Sequence, residues 1–413
     1  MLVRPLSFVT AAALLSLTAN AFADVPPPEQ LLKSAETEQK SYLATVEQLV
    51  NIDTGTGLAP GLKTVGDMLV ERLEALGAEV KRTPAKPSEG DNIVGTLKGN
   101  GDKSFLLMIH YDTVFGEGTA AKRPFRIEGE RAFGPGVADA KGGVAMVLHS
   151  LKLLQDQAFK DFGQITVLFN PDEEKGSAGS KALIGELARK HDYVFSYEPP
   201  DTNAVAVATN GINYVFLDVK GKSSHAGSAP EQGRNALIEL SQQLIRLNSL
   251  GNLDKGTTVN WTLAKAGEKR NIIPANASAE GDMRYSDLSE TDRVIADAEG
   301  IVKKASIDGT TTTFRLEKGR PPLAKNAQSE ALATTAQSLY KKVGLDLKPV
   351  AMAFGTDAGY AYVQGSDKPA VLETMGVVGA GLHGDDEYME LASIAPRLYL
   401  TASMIMELSS AKP

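Results

Sequence analysis

The chain contains no cysteine. Disulfides, thiolate metal sites and a cysteine nucleophile are excluded together. Tryptophan occurs once and histidine five times in 413 residues, so every histidine can be weighed individually. Positive charge is in deficit: 43 Lys and Arg against 51 Asp and Glu leave a formal charge of −8. That argues against nucleic-acid binding through a basic face. Beyond residue 23 no apolar run approaches the length needed to span a bilayer, so no membrane partner is expected. What remains is ordinary globular composition, 42% hydrophobic and 23% charged, with length enough for roughly two to three domains.

Residues 1–23 read as a secretory signal. Arg4 supplies the positive start, Ala11 to Leu17 the apolar stretch, and Ala21-Phe22-Ala23 the small-x-small cleavage pattern. Cleavage near Ala23 would deliver a periplasmic or secreted protein.

Helical patterns cover about Pro28 to Val50 and Leu62 to Leu76. Short apolar runs follow at Asn92 to Leu97, Phe105 to Ile109, Ile165 to Phe169 and Tyr193 to Tyr197, with helix-length segments between them. This alternation indicates an α/β fold, a mixed and mainly parallel sheet with helices on both faces. From about Tyr214 the order changes to strand, helix, strand, strand, helix, strand. In its first helix Leu237, Leu240, Leu244 and Leu247 form one apolar stripe. Residues 213–322 are therefore expected to be an inserted α+β domain, splitting the larger α/β domain into 24–212 and 323–413.

Several polar residues stand at the ends of the apolar runs. His110 closes one, with Asp112 two residues on; Asp139 precedes a helix after a glycine-proline turn. Glu173 and Glu174 follow Phe169 closely, Glu198 ends another run, and His383 lies in a glycine-flanked loop. Each has a bland reading: a satisfied histidine, a helix N-cap, a solvated acidic turn. Jointly they occupy the carboxyl ends of successive α/β strands, where such folds bind ligands.

In this order His110-Tyr-Asp112, Asp139-Ala-Lys-Gly-Gly143, Asp172-Glu-Glu174, Glu198-Pro and His383 resemble the dinuclear zinc exopeptidases of the aminoacylase and carboxypeptidase clan. Among these the match leans toward bacterial glutamate carboxypeptidases that hydrolyse folates. The resemblance implies two zinc ions per chain, one held by His110, Asp139 and Glu198, the other by Asp139, Glu174 and His383, with Asp139 bridging. It further implies that Asp112 orients His110, that Glu173 is the general base toward a metal-activated water, and that the Asp139-Ala140 peptide is cis.

The inserted segment carries further matches. Ser224-His225-Ala-Gly resembles the family turn whose histidine reaches the partner's active site, which implies a homodimer through the inserted domain. Asn271, in Asn-Ile-Ile-Pro274, is expected near substrate, and Arg284 on its alternating strand is expected to clamp the C-terminal carboxylate. Arg320 is a candidate for a second carboxylate or a domain linker, and Gly355 lies in a substrate-lining loop. His149 and His191 read as structural or exposed.

The implied activity is removal of a C-terminal glutamate from N-acyl, folate-like or short peptide substrates. An aminoacylase or dipeptidase of other preference would share every ligand. An exported solute-binding protein fits the leader and the two α/β lobes, but does not need Glu173 beside Glu174.

Overall fold

The apolar runs at 92–97, 105–109, 165–169 and 193–197 become four of the six strands of a central sheet. The computed structural model describes residues 25–410; the expected leader, 1–23, lies outside the described residues. Across the sheet the order is Glu79–Pro84, Asp91–Lys98, Gln164–Asn170, Ser104–His110, Tyr193–Ser196 and Ala370–Leu372. The first two pairings are antiparallel and the remaining three parallel. The sheet is thus mixed and mainly parallel.

Its central strand is buried from Phe105 to His110, as a strand covered on both faces must be. Phe105, Leu107 and Ile109 point into one core, shared with the helices Pro28–Val50, Lys141–Asp156 and Ile394–Ser410. Leu106 and Met108 point into the other, with Ile184, Ala188, Ala358 and Ala361. Helix Lys141–Asp156 begins with two glycines for a packing reason. A Cβ on Gly143 would lie 2.4 Å from the Tyr197 carbonyl oxygen. The helix therefore reaches the strand end that carries Glu198 only because no side chain intervenes.

The inserted segment has its own sheet, in the order Thr258–Ala266, Asn276–Tyr285, Gly211–Lys220, Thr311–Lys318, antiparallel throughout. Alternate residues Val215, Leu217 and Val219 meet Leu240, Leu247, Val294 and Ala298 of the helices Ala236–Leu247 and Ser289–Val302. One expectation fails here: Leu237 is 43% exposed. At ~100° per residue it lies about 60° from Leu240, on the margin toward Leu244. The buried face is centred on the other side, where Ala236, Glu239 and Gln243 are enclosed. Glu239 can be there because its carboxylate accepts the backbone N–H groups of Ser306 (2.9 Å) and Ile307 (2.8 Å).

The Asp139–Ala140 peptide is cis, as are Lys86–Pro87 and Lys368–Pro369. Among the described residues no helix is long and apolar enough to cross a membrane.

Candidate active site

His110, Glu174 and Glu198 stand at or just beyond the carboxyl ends of parallel strands, and two loops bring Asp139 and His383 to them. His110 is the last residue of its strand. Its Nε2 lies 3.1 Å from Asp139 Oδ1 and 3.5 Å from Glu198 Oε1. His383 Nε2 lies 3.2 Å from both Asp139 Oδ2 and Glu174 Oε2. Asp139 therefore stands between two histidines, offering one oxygen to each. Ligand atoms of His110, Asp139 and Glu174 all fall within 4.8 Å of one another.

Asp112 organises this cluster from behind. Its carboxylate lies 3.3 Å from His110 Nδ1 and accepts the backbone N–H of Glu173 (3.0 Å), that of Glu174 (3.3 Å) and the Thr56 hydroxyl (2.7 Å). The Asp112 carbonyl is 3.0 Å from the same Nδ1. A proton on Nδ1 leaves the Nε2 lone pair facing the cluster, the tautomer a metal ligand needs. Glu387 does similar work for Asp139: its carboxylate accepts the N–H groups of Gly136 (2.9 Å), Ala138 (2.9 Å) and Asp139 (3.0 Å).

Glu173 is buried beside the cluster. One arm of the Arg320 guanidinium donates to its carboxylate and the other to its backbone carbonyl. Arg320 also donates to the Gly355 carbonyl at 3.0 Å. Burial pushes the Glu173 carboxyl well above the usual range although Arg320 opposes it, which suits a group that must accept a proton.

The chemistry of the cluster fits divalent metal. Among the described residues Glu174 Oε1 is buried with no hydrogen-bond partner, a cost that a bound cation would remove. Burial pushes the Glu174 and Glu198 carboxyls up. Hydrogen bonds that His383 donates to the Asp139 and Glu174 carboxylates push it up to about 10. Glu198, Asp112 and Asp139 raise His110 against the opposing effect of its burial. Positive charge is drawn toward these oxygens from whatever source is at hand, as at metal sites.

Beside the cluster opens a cleft of about 650 Å³ between the two sheets. Glu173, Glu174 and Glu198 line its floor; Tyr214, Arg284 and Lys318 come from the inserted segment, and Lys181 and Arg320 from the walls.

A family model described as "Peptidase family M20/M25/M40" matches residues 106–407. The chain belongs to the M20/M25/M40 peptidase family. This M20 peptidase is 43% identical over 387 residues to carboxypeptidase G2 of Pseudomonas sp. (strain RS-16), covering 92% of each chain. It superposes on the aminopeptidase PepT of Bacillus cereus with a TM-score of 0.79 at 21% identity, over 90% of this chain and 99% of that one. It likewise superposes on the YXEP protein of Bacillus subtilis, a dinuclear metal-binding M20 peptidase, with a TM-score of 0.69 at 15% identity, over 91% and 99%.

The substrate candidates of the M20 peptidase are distributed unevenly. Arg284 lines the cleft, but its Nε donates to Asp282 at 2.8 and 3.1 Å. Arg320 and Gly355 line it too, with Arg320 turned onto Glu173. His225 and Asn271 do not line it: they are exposed neighbours, linked by the Ala226 N–H to the Asn271 carbonyl at 2.9 Å. His225 Nδ1 accepts the backbone N–H of Gly227 (3.2 Å) and Ser228 (3.1 Å). A backbone N–H can only donate, so the neutral ring carries its proton on Nε2.

His149 and His191 are buried and structural. His149 lies 2.6 Å from Glu38 and 2.8 Å from Thr45, and His191 2.7 Å from the Leu187 carbonyl and 2.8 Å from Thr166. Thr56, Lys181, Lys318 and Glu387 are the site residues that sequence reasoning missed. Only Glu387 had a signal, an acid close to His383.

Proposed function

We propose that this M20 metallo-exopeptidase is a glutamate carboxypeptidase, cleaving the amide bond to a C-terminal glutamate in N-acyl-glutamate, folate-like or short peptide substrates. The observation that carries this reading is the cleft itself, where a carboxylate and histidine cluster adjoins walls bearing Arg284, Lys181 and Lys318. A residue with two carboxylates suits such walls. The identity to carboxypeptidase G2 supports the same reading.

His110, Asp139 and Glu198 would hold one divalent ion, and Asp139, Glu174 and His383 a second, zinc by family resemblance. Bound there, the ions would supply the charge that polarises the scissile carbonyl and acidifies water. Asp112 keeps His110 in its tautomer and holds the turn that carries Glu173. Glu173 takes the proton of the attacking water and returns it to the departing amide nitrogen. Arg320 fixes Glu173 for that exchange, and Arg284 binds the terminal carboxylate through the nitrogens Asp282 leaves free.

His225 is assigned to a partner's site. Its Nε2–H is the donor that a carbonyl oxygen gaining negative charge requires. The homodimer this needs is supported by an outer edge on Thr258–Ala266 that is unpaired among the described residues and by Leu237, Ile238, Ile245 and Leu263, all exposed. An apolar face beside an open strand edge calls for a cover. The leader pattern at 1–23 adds export to the reading.

One observation favours an aminoacylase or dipeptidase instead: Asp282 already neutralises part of Arg284. Release of amino acid from N-benzoyl-glutamate, N-benzoyl-aspartate and N-benzoyl-leucine separates the two. Glutamate released far ahead of leucine supports the carboxypeptidase; the reverse order supports the alternative.

A further inference from the structure

Glu198 stands just beyond its strand, Tyr193–Ser196, and a turn of the neighbouring segment holds it there. That turn follows the strand Ala370–Leu372, which pairs in parallel with Tyr193–Ser196. The Met375 N–H donates to the Ser196 carbonyl (2.9 Å), the Gly376 N–H to the Glu198 carbonyl (3.2 Å) and the Gly379 N–H to the Pro200 carbonyl (3.0 Å). A Cβ on Gly376 would lie 2.3 Å from the Tyr197 carbonyl oxygen, so only glycine lets the turn close on this segment.

The turn starts from an uncommon conformation. Thr374 has a φ of 59°, in the left-handed region that a β-branched residue rarely adopts. Its surroundings over-determine it. The Thr374 hydroxyl accepts the Ala206 N–H at 2.9 Å, and its carbonyl accepts from Arg397 at 3.1 Å. Glu373, just before it, exchanges both main-chain bonds with Ala206, at 2.9 and 3.0 Å. With the main chain fixed in this way, the Glu373 carboxyl faces the Ser196 hydroxyl and the N–H groups of Thr374 and Glu198.

Glu373 is fully buried, and among the described residues neither carboxylate oxygen completes a hydrogen bond. Arg397, the buried cation bound to this turn, directs its Nη donors to Thr374, Ala204 and Asn203. A leucine would fill the position without stranding an acceptor, so the fold alone does not account for a carboxylate there. The cluster uses the same device twice more. Asp112 accepts the N–H of Glu174, and Glu387 accepts that of Asp139. Glu373 faces the N–H of Glu198, the remaining carboxylate of the proposed ligand set. We propose that Glu373 is a positioning residue for Glu198, a built-in acceptor that fixes its main chain and so tightens the hold of His110, Asp139 and Glu198 on their divalent ion. The assignment rests on the ligand set proposed above and goes beyond it, to a residue outside the metal's own ligands.

The test is zinc affinity, by competition with a chromogenic chelator, set beside the melting temperature of the metal-free protein. Wild type, Glu373→Leu and Glu373→Gln are compared. Glu373→Leu is expected to bind one of two zinc ions about tenfold to a hundredfold more weakly. Its metal-free melting temperature should stay at or above wild type, because a stranded acceptor is gone. Glu373→Gln keeps an acceptor oxygen, so its zinc affinity is expected within about threefold of wild type. Wild-type affinity in Glu373→Leu, or the same loss in Glu373→Gln, would overturn the assignment. So would a metal-free melting temperature well below wild type in Glu373→Leu, which would make Glu373 an element of the fold. If wild type itself binds fewer than two zinc ions, the ligand set fails and the positioning role with it.

Discussion

Arg320 holds Glu173 at two points, donating to the side-chain carboxylate with one arm and to the backbone carbonyl with the other. Both residues are buried, so the contact is not loosened by water. A group gripped at side chain and main chain has little freedom left, and a base must be held in reach of its proton. Arg320 thus sits on the proposed base, where its sequence context suggests a carboxylate clamp or a linker.

Arg320 and Arg284 are therefore expected to give different kinetic signatures. Arg320→Ala should lower kcat about tenfold to a hundredfold, because the proposed base loses its support. Arg284→Ala should mainly raise KM, because it removes binding common to ground and transition states. Steady-state kinetics on N-benzoyl-glutamate distinguishes them; matching profiles for the two variants would contradict the assignment.

Glu387 is expected to control metal affinity without touching metal. Glu387→Ala strands the N–H groups of Gly136, Ala138 and Asp139, and so loosens the loop that presents the proposed bridging carboxylate. Zinc affinity should drop about tenfold to a hundredfold, as is usual for outer-shell partners of a metal site. Competition with a chromogenic chelator measures it. Affinity equal to wild type would show that the loop holds itself.

These contrasts mark what sequence reasoning reaches. His110, Glu174 and Glu198 were legible because α/β folds gather strand ends at one edge; Asp139 and His383, which lie in loops, were legible only through the resemblance of the ordered motifs. The inserted sheet was legible because alternate residues are polar along Thr257 to Leu263 and Ala277 to Tyr285. Arg320 on Glu173, Thr56 on Asp112 and Glu387 under Asp139 were not. Each contact joins segments far apart in the chain, through loops whose paths are set by packing and not by periodicity. Lys181 and Lys318 look like any solvated lysine until the cleft is assembled around them. Leu237 misled for the opposite reason: its spacing suits a stripe whose centre tertiary packing shifted.

The exposed apolar face of the inserted segment yields a prediction about assembly. Ile245→Glu combined with Leu263→Lys should convert a dimer to a monomer in sedimentation, and lower turnover about a hundredfold or more as His225 is lost from the neighbouring site. Each single change should act in the same direction. A monomer with wild-type turnover would remove His225 from the chemistry.

His149 gives a pH dependence remote from the cluster. Burial lowers its pKa, although Glu38 beside it opposes the shift; Arg72 and Lys152 add smaller effects in the same direction as burial. The unfolded chain therefore binds this proton more tightly. Its contribution to stability is complete above the unfolded value of about 6.5 and declines as pH falls below it. The melting-temperature advantage of wild type over His149→Gln should shrink between about pH 7.5 and about pH 5. A constant difference would mean that His149 does not titrate differently on folding.

The most direct test of the central claim is turnover of N-benzoyl-glutamate by metal-stripped protein as zinc is added back. Release is expected to be negligible at the start and to level near about two equivalents per chain. Glu173→Gln is expected to bind the same zinc with turnover lower by about a thousandfold. Full turnover by the stripped protein, or a Glu173→Gln variant as active as wild type, would contradict it.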